Sequence, residues 1–209
     1  EFNITSKSAI LYNMNEEKIL YQQKSEEKLQ IASLTKIMTV ITAIENNSDL
    51  EKKVAITKDM LKGIEEYTQV GFKAGDTPSI KDLLYGAMLP SGADAVNALA
   101  IETSGSISKF VDLMNEKANK LSLKNTHFDN PVGMDSDNNY STAADMAQLL
   151  IYCLKNNTFK EVFTAKEYKI ECINKTIKTT LVSYSRSYGL DVSEITGAKS
   201  GFTDGAGLC

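Results

Sequence analysis

The chain has 209 residues, of which 42% are hydrophobic and 24% are charged, proportions typical of a globular protein that buries one core. Its formal net charge is −4 and its lysines and arginines do not gather into one tract, which argues against nucleic acid as the main partner. No apolar run approaches the ~20 residues needed to cross a bilayer. A single histidine, His127, and three widely spaced cysteines without a CxxC pair argue against a metal site.

Two short apolar runs separated by a polar turn predict an opening β-hairpin. From Ser33, apolar residues recur at spacings of three and four as far as Ile44, which predicts a helix with one buried face. Ser79, followed by Asp82, and Ser106 are suited to cap two later helices. In chain order, the predicted elements are strands over 8–12 and 18–22, a helix over 33–46, a strand over 52–56, helices over 79–88, 95–101, 106–121 and 141–153, and strands over 167–173, 175–181 and 194–199.

The order of strands, a helical middle and further strands predicts one α+β domain over residues 1–209. We expect an antiparallel sheet built from both chain ends around a helical insertion. The sequence shows no internal repeat, low-complexity tract or linker. Because a strand close to the last residue would leave a sheet edge open, we expect the C-terminal part of the domain to lie beyond Cys209.

Ser33 and Lys36 are candidates for an activated nucleophile and its base. Residues three apart share one face of a helix, so the hydroxyl and the amine can lie side by side. A desolvated lysine with a lowered pKa can take the serine proton, and the N–H groups at a helix start favour developing negative charge. The alternative is an N-cap serine followed by a solvated lysine, because S-x-x-K on its own is a common pattern.

Two further motifs weigh against that alternative. Ser91-Gly92 lies at a corner between two predicted helices, where a polar side chain can project into a cleft. Lys199-Ser200-Gly201 lies at the end of the last predicted strand, where a cation can anchor a carboxylate and a glycine permits close approach to the backbone. S-x-x-K, then a relative of S-D-N, then a relative of K-T-G is the signature shared by penicillin-binding proteins and class A β-lactamases.

With these motifs the sequence resembles the low-molecular-weight penicillin-binding proteins, the serine-type D-alanyl-D-alanine carboxypeptidases of bacterial cell walls. The resemblance implies a β-lactamase/transpeptidase-like fold and covers most of the chain. It is carried by the segments 31–39, 89–95, 125–131, 140–142, 197–204 and 206–207.

The resemblance implies a role for each motif residue and no cofactor or metal. Ser33 attacks the peptide bond between two D-alanines and forms an acyl-enzyme, Lys36 takes the serine proton, and Ser91 relays protons to the leaving amine. The N–H groups of Ser33 and Phe202 form the implied oxyanion hole. The implied substrate-binding residues are Lys199, Ser200, Gly201, Phe202 and Thr203.

Two positions depart from the family pattern. Ser200 replaces the usual threonine and keeps its hydroxyl. Ala93 occupies a slot that ordinarily holds an asparagine, whose amide contacts the catalytic lysine and the substrate backbone, so we expect its absence to weaken activity. Asn97 lies one helical turn further on the same face, about 6 Å along the axis, and compensation by Asn97 is a hypothesis.

Three alternatives share this pattern: a β-lactamase, an endopeptidase that cuts peptide cross-links, and a non-catalytic wall-binding or regulatory protein. Ala93 favours the last of these, the non-catalytic protein. The implied partners are peptidoglycan stem peptides ending in D-Ala-D-Ala, with β-lactam antibiotics as inhibitors. The resemblance also implies a secreted, extracytoplasmic protein of the cell wall that contributes to cell shape. Peripheral attachment to the outer face of the cytoplasmic membrane is implied through a C-terminal segment that this sequence does not contain.

Overall fold

The computed structural model describes residues 4–181, 187, 189 and 191–209. Its helices and strands are β1 (Ala9–Asn13), β2 (Lys18–Gln23), α1 (Thr35–Asn46), α2 (Ile80–Met88), α3 (Ala93–Ser104), α4 (Ile107–Lys120), α5 (Ala143–Cys153), α6 (Asn157–Thr164), β3 (Glu167–Ile170), β4 (Lys175–Lys178), β5 (Phe202–Thr203) and β6 (Gly207–Leu208). One-turn 3-10 helices occur at Ala32–Leu34, Asp59–Leu61 and Glu171–Ile173.

Polar side chains define where the helices begin, as predicted for α2 and α4. The Asp82 N–H donates to Ser79 Oγ at 3.0 Å, and the Ser79 N–H donates to the Asp82 carboxylate at 2.7 Å, which completes a capping box. Ser106 Oγ accepts from the Lys109 N–H at 3.2 Å. Gly105 ends α3 with a φ of +85°, a conformation that glycine adopts without steric cost. These contacts satisfy backbone groups that a helix end leaves free.

The core lies between helices, and α3 runs through it. The residues of α3 from 93 to 100 are almost fully buried, and α1, α2 and α4 pack around them. Met38, Val40 and Ile41 of α1 belong to the same core. Burying each large apolar side chain contributes roughly 1.5–3 kcal/mol. This packing therefore fixes the start of α1 relative to the start of α3.

The α+β class is confirmed, whereas the organisation of the strands differs from the prediction. Within the described residues the strands form three separate two-stranded antiparallel sheets, β1 with β2, β3 with β4, and β5 with β6, in place of one sheet built from both chain ends. Strand β1 and residues 196–199 both line a cavity of about 710 Å³. The two ends of the chain therefore face each other across a largely apolar space, and no strand pairing between them occurs in the described residues.

The strand predicted over 52–56 is wrong, although this segment runs beside another extended segment. The N–H groups of Val54 and Ile56 donate to the carbonyls of Pro78 and Asp76. Pro78 has no N–H to donate in return. The ladder is therefore incomplete and reduces to a single bridge.

Helix α6 is not among the predicted elements, although its sequence carries helix signals. Phe159, Val162 and Phe163 recur at spacings of three and four and are buried. Asn156 Oδ1 accepts from the Phe159 N–H at 3.0 Å and caps the helix. The cap of α5 is Thr142 and not Ser141, the first residue of the predicted segment, so the helix begins one residue later than predicted.

The strand predicted over 194–199 is also wrong. In the part of the chain that the structure describes, this segment pairs with no other strand. The Lys166 amine instead donates to the carbonyls of residues 195–196 at 2.6 and 3.3 Å. Gly197 lies against Phe163, where a Cβ would be 2.7 Å from the ring. Contacts with α6 and its flank therefore hold the segment in place of a neighbouring strand.

Of the helices described, none has the length and hydrophobicity that crossing a bilayer requires.

The three cysteines are free thiols: Cys153 is buried, Cys209 is partly buried and Cys172 is exposed. Burial raises the pKa of the Cys153 thiol. This thiol therefore stays protonated and packs as a small apolar group.

We expect Ser79→Ala to lower the free energy of unfolding by about 1–2 kcal/mol, because it removes the acceptor of a buried capping box. Urea denaturation followed by circular dichroism measures the change. Ser106→Ala removes a cap at a more exposed site and is the matched control, with an expected loss of about 0.5 kcal/mol. Wild-type stability of Ser79→Ala would contradict this prediction.

Candidate active site

Ser33 lies in the 3-10 helix Ala32–Leu34, directly before α1. Ala32 has a φ of +45°, in the left-handed region that non-glycine residues rarely adopt. Gly133 approaches from one segment, and a Cβ on it would lie 1.9 Å from the Ala32 carbonyl oxygen. Gly201 approaches from another, and its Cβ would lie 2.7 Å from the Ser33 nitrogen. Two backbone segments therefore enclose the turn that carries Ser33.

Lys36 lies in the first turn of α1 and is almost fully buried, with 2% exposure. Its Nζ donates to Ser33 Oγ at 2.7 Å and to the Val132 carbonyl at 2.6 Å. Burial holds the Lys36 pKa well below its usual range, and the charge of Lys199 lowers it further. A neutral amine beside a hydroxyl is the arrangement that a lysine base requires. Lys36 is therefore not a solvated lysine, which excludes the alternative interpretation of Ser33 and Lys36 as an N-cap serine followed by a solvated lysine.

Ser91 occupies the corner between α2 and α3, with a φ of +67°. A Cβ on Gly92 would lie 2.6 Å from Val70 Cγ2, so a glycine is needed for this corner to pack against its neighbour. Ser91 Oγ accepts a hydrogen bond from Lys199 Nζ at 2.9 Å. The second motif is thereby joined to the third.

Lys199 is the first residue of the third motif and carries its amine. Its Nζ donates to Ser91 Oγ and to the Ser200 carbonyl, the latter at 2.6 Å. The residue keeps some solvent exposure, while burial of its amine lowers the pKa of Lys199 to about 7. Since the charge of Lys199 also acts on Lys36, the site contains two amines whose protonation is coupled.

Ser200 and Gly201 continue from Lys199 towards the nucleophile. Ser200 Oγ and Thr180 Oγ1 share a hydrogen bond of 3.0 Å. Gly201 exchanges two backbone hydrogen bonds with Cys209, at 2.9 and 2.8 Å. These bonds extend the β5–β6 hairpin by one pair and hold the Gly201 backbone against Ser33.

Phe202 and Thr203 form β5. The Phe202 side chain is 66% exposed, so a contribution of this residue near Ser33 has to come from its backbone. The Thr203 hydroxyl donates to Asp135 Oδ1 at 2.6 Å, and the Gly205 N–H donates to Asp135 Oδ2 at 2.9 Å. Asp135 therefore links the β5–β6 turn to the loop before α5 by hydrogen bonds. No sequence motif indicates this structural role.

Asp94 is a second residue that the motifs do not single out, and it stabilises the second motif. Its carboxylate is fully buried. It accepts hydrogen bonds of 2.8–3.0 Å from four backbone N–H groups, those of Val70, Gly71, Phe72 and Ala95. The N-terminal end of α3 also favours a negative charge here. The sequence signal that could have identified Asp94 is an acidic residue in the first helical turn after the Ser91-Gly92 corner.

Ala93 begins α3, is fully buried and offers no amide to Lys36. Asn97, one turn further on, is 8% exposed. Among the described residues it forms no hydrogen bond with Lys36 or Ser91, so these contacts give the compensation hypothesis no support. The acceptor that lies next to Lys36 is the Val132 carbonyl.

Comparison with solved structures defines the class of protein. The crystal structure of the Streptomyces K15 DD-transpeptidase aligns with 100% of this chain and 84% of its own, with a TM-score of 0.89 and 30% sequence identity. The fold is therefore that of the DD-peptidases, in agreement with the expected β-lactamase/transpeptidase-like architecture.

The chain belongs to the D-alanyl-D-alanine carboxypeptidase family, peptidase family S11, which it matches over residues 1–209. The D-alanyl-D-alanine carboxypeptidase DacF of Bacillus subtilis (strain 168) is 35% identical over 98% of this chain and 52% of its own length. The D-alanyl-D-alanine endopeptidase of Escherichia coli (strain K12) is 30% identical over 99% of this chain and 66% of its own length. The chain thus spans about half of the first relative and about two thirds of the second.

We expect Asp94→Ala to lower the free energy of unfolding by about 3 kcal/mol or more, because it leaves four buried N–H groups without their acceptor. Asp94→Asn keeps one of the two acceptor oxygens and is expected to lose less. Urea denaturation measures both variants. Asp112→Ala, at an exposed position of α4, is the control for loss of an aspartate. A loss in Asp94→Ala no larger than in this control would refute the prediction.

Proposed function

We propose that this chain is a serine-type D-Ala-D-Ala carboxypeptidase, which removes the terminal D-alanine from peptidoglycan stem peptides through an acyl-enzyme. The observation that carries the proposal is the buried Lys36 amine, which donates to Ser33 Oγ at 2.7 Å. Membership of the D-alanyl-D-alanine carboxypeptidase family supports the choice of substrate. Because the chain spans about half the length of the B. subtilis relative, the activity of the whole protein is part of this proposal.

The first step is acylation of Ser33. Neutral Lys36 takes the hydroxyl proton while Ser33 Oγ attacks the carbonyl carbon of the D-Ala-D-Ala peptide bond. The C–N bond then breaks, the departing D-alanine nitrogen receives a proton through Ser91, and the rest of the peptide stays as an ester on Ser33. Ser91 suits this relay because Lys199 Nζ donates to its oxygen at 2.9 Å and holds the hydroxyl in place. The proton that passes through Ser91 is the one that Lys36 took from Ser33, so Lys36 becomes neutral again and Lys199 keeps its charge.

The N–H groups of Ser33 and Phe202 are the proposed oxyanion hole. The close approach of Gly201 to the Ser33 nitrogen brings the start of β5 against the nucleophile turn. In such sites the loss of one donor costs about 3 kcal/mol of transition-state stabilisation. Two backbone donors on fixed segments therefore suit the charge that develops on the carbonyl oxygen.

Lys199 and Ser200 are the proposed anchors of the terminal substrate carboxylate, and the Gly201 backbone borders them. An incoming carboxylate favours the charged form of Lys199, whose pKa is about 7 in the free site. Thr203 lies on the same strand, and its bond to Asp135 keeps the strand in position. The anchor thus becomes fully charged when the substrate arrives.

Water releases the shortened peptide from Ser33 in the second step. A β-lactam inhibits by acylating the same serine. A second candidate function, cleavage of peptide cross-links, is favoured by the similarity to the E. coli D-alanyl-D-alanine endopeptidase. Both reactions use the same acyl-enzyme and differ in the group that leaves.

We infer a location outside the cytoplasmic membrane, at the cell wall, because the proposed substrate lies there. Secretion, peripheral attachment to the membrane and a contribution to cell shape remain predictions. They follow from the family resemblance and not from contacts within the chain.

We expect benzylpenicillin to form one stable covalent adduct with the wild-type chain and none with Ser33→Ala, as measured by intact-protein mass spectrometry. The matched control is Ser48→Ala, which removes an exposed serine and is expected to label as the wild type does. Absence of an adduct on the wild type would favour the non-catalytic, wall-binding alternative. Rapid loss of the adduct would favour a β-lactamase.

We expect kcat/KM for a D-Ala-D-Ala peptide to fall as the pH rises above about 7, because Lys199 loses the proton that attracts the carboxylate. It is also expected to fall at low pH, where Lys36 gains a proton and ceases to be a base. Bound carboxylate raises the Lys199 pKa, so the alkaline limb should lie at higher pH in kcat than in kcat/KM. In Lys199→Arg the alkaline limb should disappear, because arginine stays charged. Its persistence at the same pH would exclude Lys199 as the titrating group.

A further inference from the structure

The loop between α4 and α5 supplies the second hydrogen-bond acceptor of Lys36. The Val132 carbonyl accepts from Nζ at 2.6 Å. Three residues further along α1, Thr39 Oγ1 donates to the Pro131 carbonyl at 2.7 Å. Two consecutive carbonyls of the loop thus bind one face of α1. The loop therefore covers the amine as well as accepting from it.

The shape of this loop depends on one side chain, Asn130. Its Oδ1 accepts from the N–H groups of Val132, Gly133 and Met134, at 3.2, 2.8 and 2.9 Å. Its Nδ2 donates to the Met134 carbonyl at 3.1 Å. A single amide therefore satisfies four backbone groups and closes the loop on itself. Asparagine side chains commonly make such hydrogen bonds with neighbouring backbone groups.

The loop then lies where it can reach the nucleophile turn. Gly133 has a φ of +92°, and a Cβ there would lie 1.9 Å from the Ala32 carbonyl oxygen. The approach is therefore closer than any other residue type would allow. Asn130 Oδ1 accepts from the N–H groups of both Gly133 and Val132. The same side chain therefore sets the approach of Gly133 to Ala32 and the contact of the Val132 carbonyl with Lys36.

We propose that Asn130 is a positioning residue for Lys36: it aims the Val132 carbonyl at the amine and keeps the loop closed over it. In this role the loop supplies the contact to the lysine that the second motif lacks, since Ala93 carries no amide. The catalytic meaning of this contact rests on the proposed function. The contact itself is a property of the fold.

The groups that face Lys36 determine how loss of Asn130 should act. Ser33 Oγ and the Val132 carbonyl are uncharged, and Lys199 is the charged group that acts on the amine among the residues that the structure describes. Burial is the larger cause of the low Lys36 pKa. A loosened loop admits water, which stabilises the ammonium form. Loss of Asn130 should therefore raise the Lys36 pKa and also misdirect the amine.

The test measures the second-order rate of acylation by a fluorescent penicillin as a function of pH. For Asn130→Ala we expect a rate about 10- to 100-fold lower, the scale of a misplaced reacting group. The acid limb should also move to higher pH. Asn130→Ser, whose hydroxyl can accept part of the same set of N–H groups, should restore the rate and the limb in part. If Asn130→Ala does not fold, the comparison of Asn130→Ser with the wild type carries the test.

The matched control is Asn13→Ala. Asn13 Oδ1 accepts from the N–H groups of Asn15 and Glu16 in the β1–β2 turn, so the variant removes a similar loop contact away from Lys36. It should acylate as the wild type does. A folded Asn130→Ala with the wild-type rate and acid limb would overturn the proposal, and so would an equal loss of rate in Asn13→Ala.

A second measurement does not depend on activity and separates this inference from the proposed function. Titration of 15N-labelled lysine amines by NMR, with the Lys36 signal assigned by its absence in Lys36→Arg, reports the Lys36 pKa directly. A higher pKa in Asn130→Ala than in the wild type supports the positioning role, even if penicillin labels neither protein. An unchanged pKa would overturn it, even if the wild type proves to be an active carboxypeptidase.

Discussion

Burial of the Lys36 amine is the constraint on which the rest of the site depends. An ammonium group buried without a negative partner is costly, and the hydrogen-bond partners of Lys36 among the described residues are uncharged oxygens. The amine therefore favours its neutral form, whose lone pair can accept the Ser33 proton. Any contact that keeps water from this amine also keeps the serine reactive.

Close backbone packing produces that burial. Gly133 and Gly201 approach the Ala32–Leu34 turn from two separate segments, and a Cβ at either position would overlap with it. The turn itself holds Ala32 at a φ of +45°, a conformation that persists only when the surroundings impose it. The loop and the β5–β6 hairpin therefore exclude water and, through the same contacts, set the direction of the serine.

Elements whose determinants lie within a few residues could be predicted from the sequence. The caps Ser79 and Ser106 and the apolar spacing after Ser33 correspond to observed helices. Elements that need a partner were predicted less well. Residues 52–56 lack a complete ladder because their neighbour is a proline, and residues 196–199 line a cavity of about 710 Å³ where a neighbouring strand was expected.

The sequence by itself determined the chemistry that is available: an ordered set of serine and lysine motifs, and the family that carries them. Only the tertiary structure decided which groups surround those motifs. The Lys36 amine bonds to a carbonyl 96 positions away, and Asp94 binds a segment 22–24 positions before it. Such contacts depend on the path of the whole chain, because a backbone N–H or carbonyl has no residue-specific signature until folding brings it to its partner.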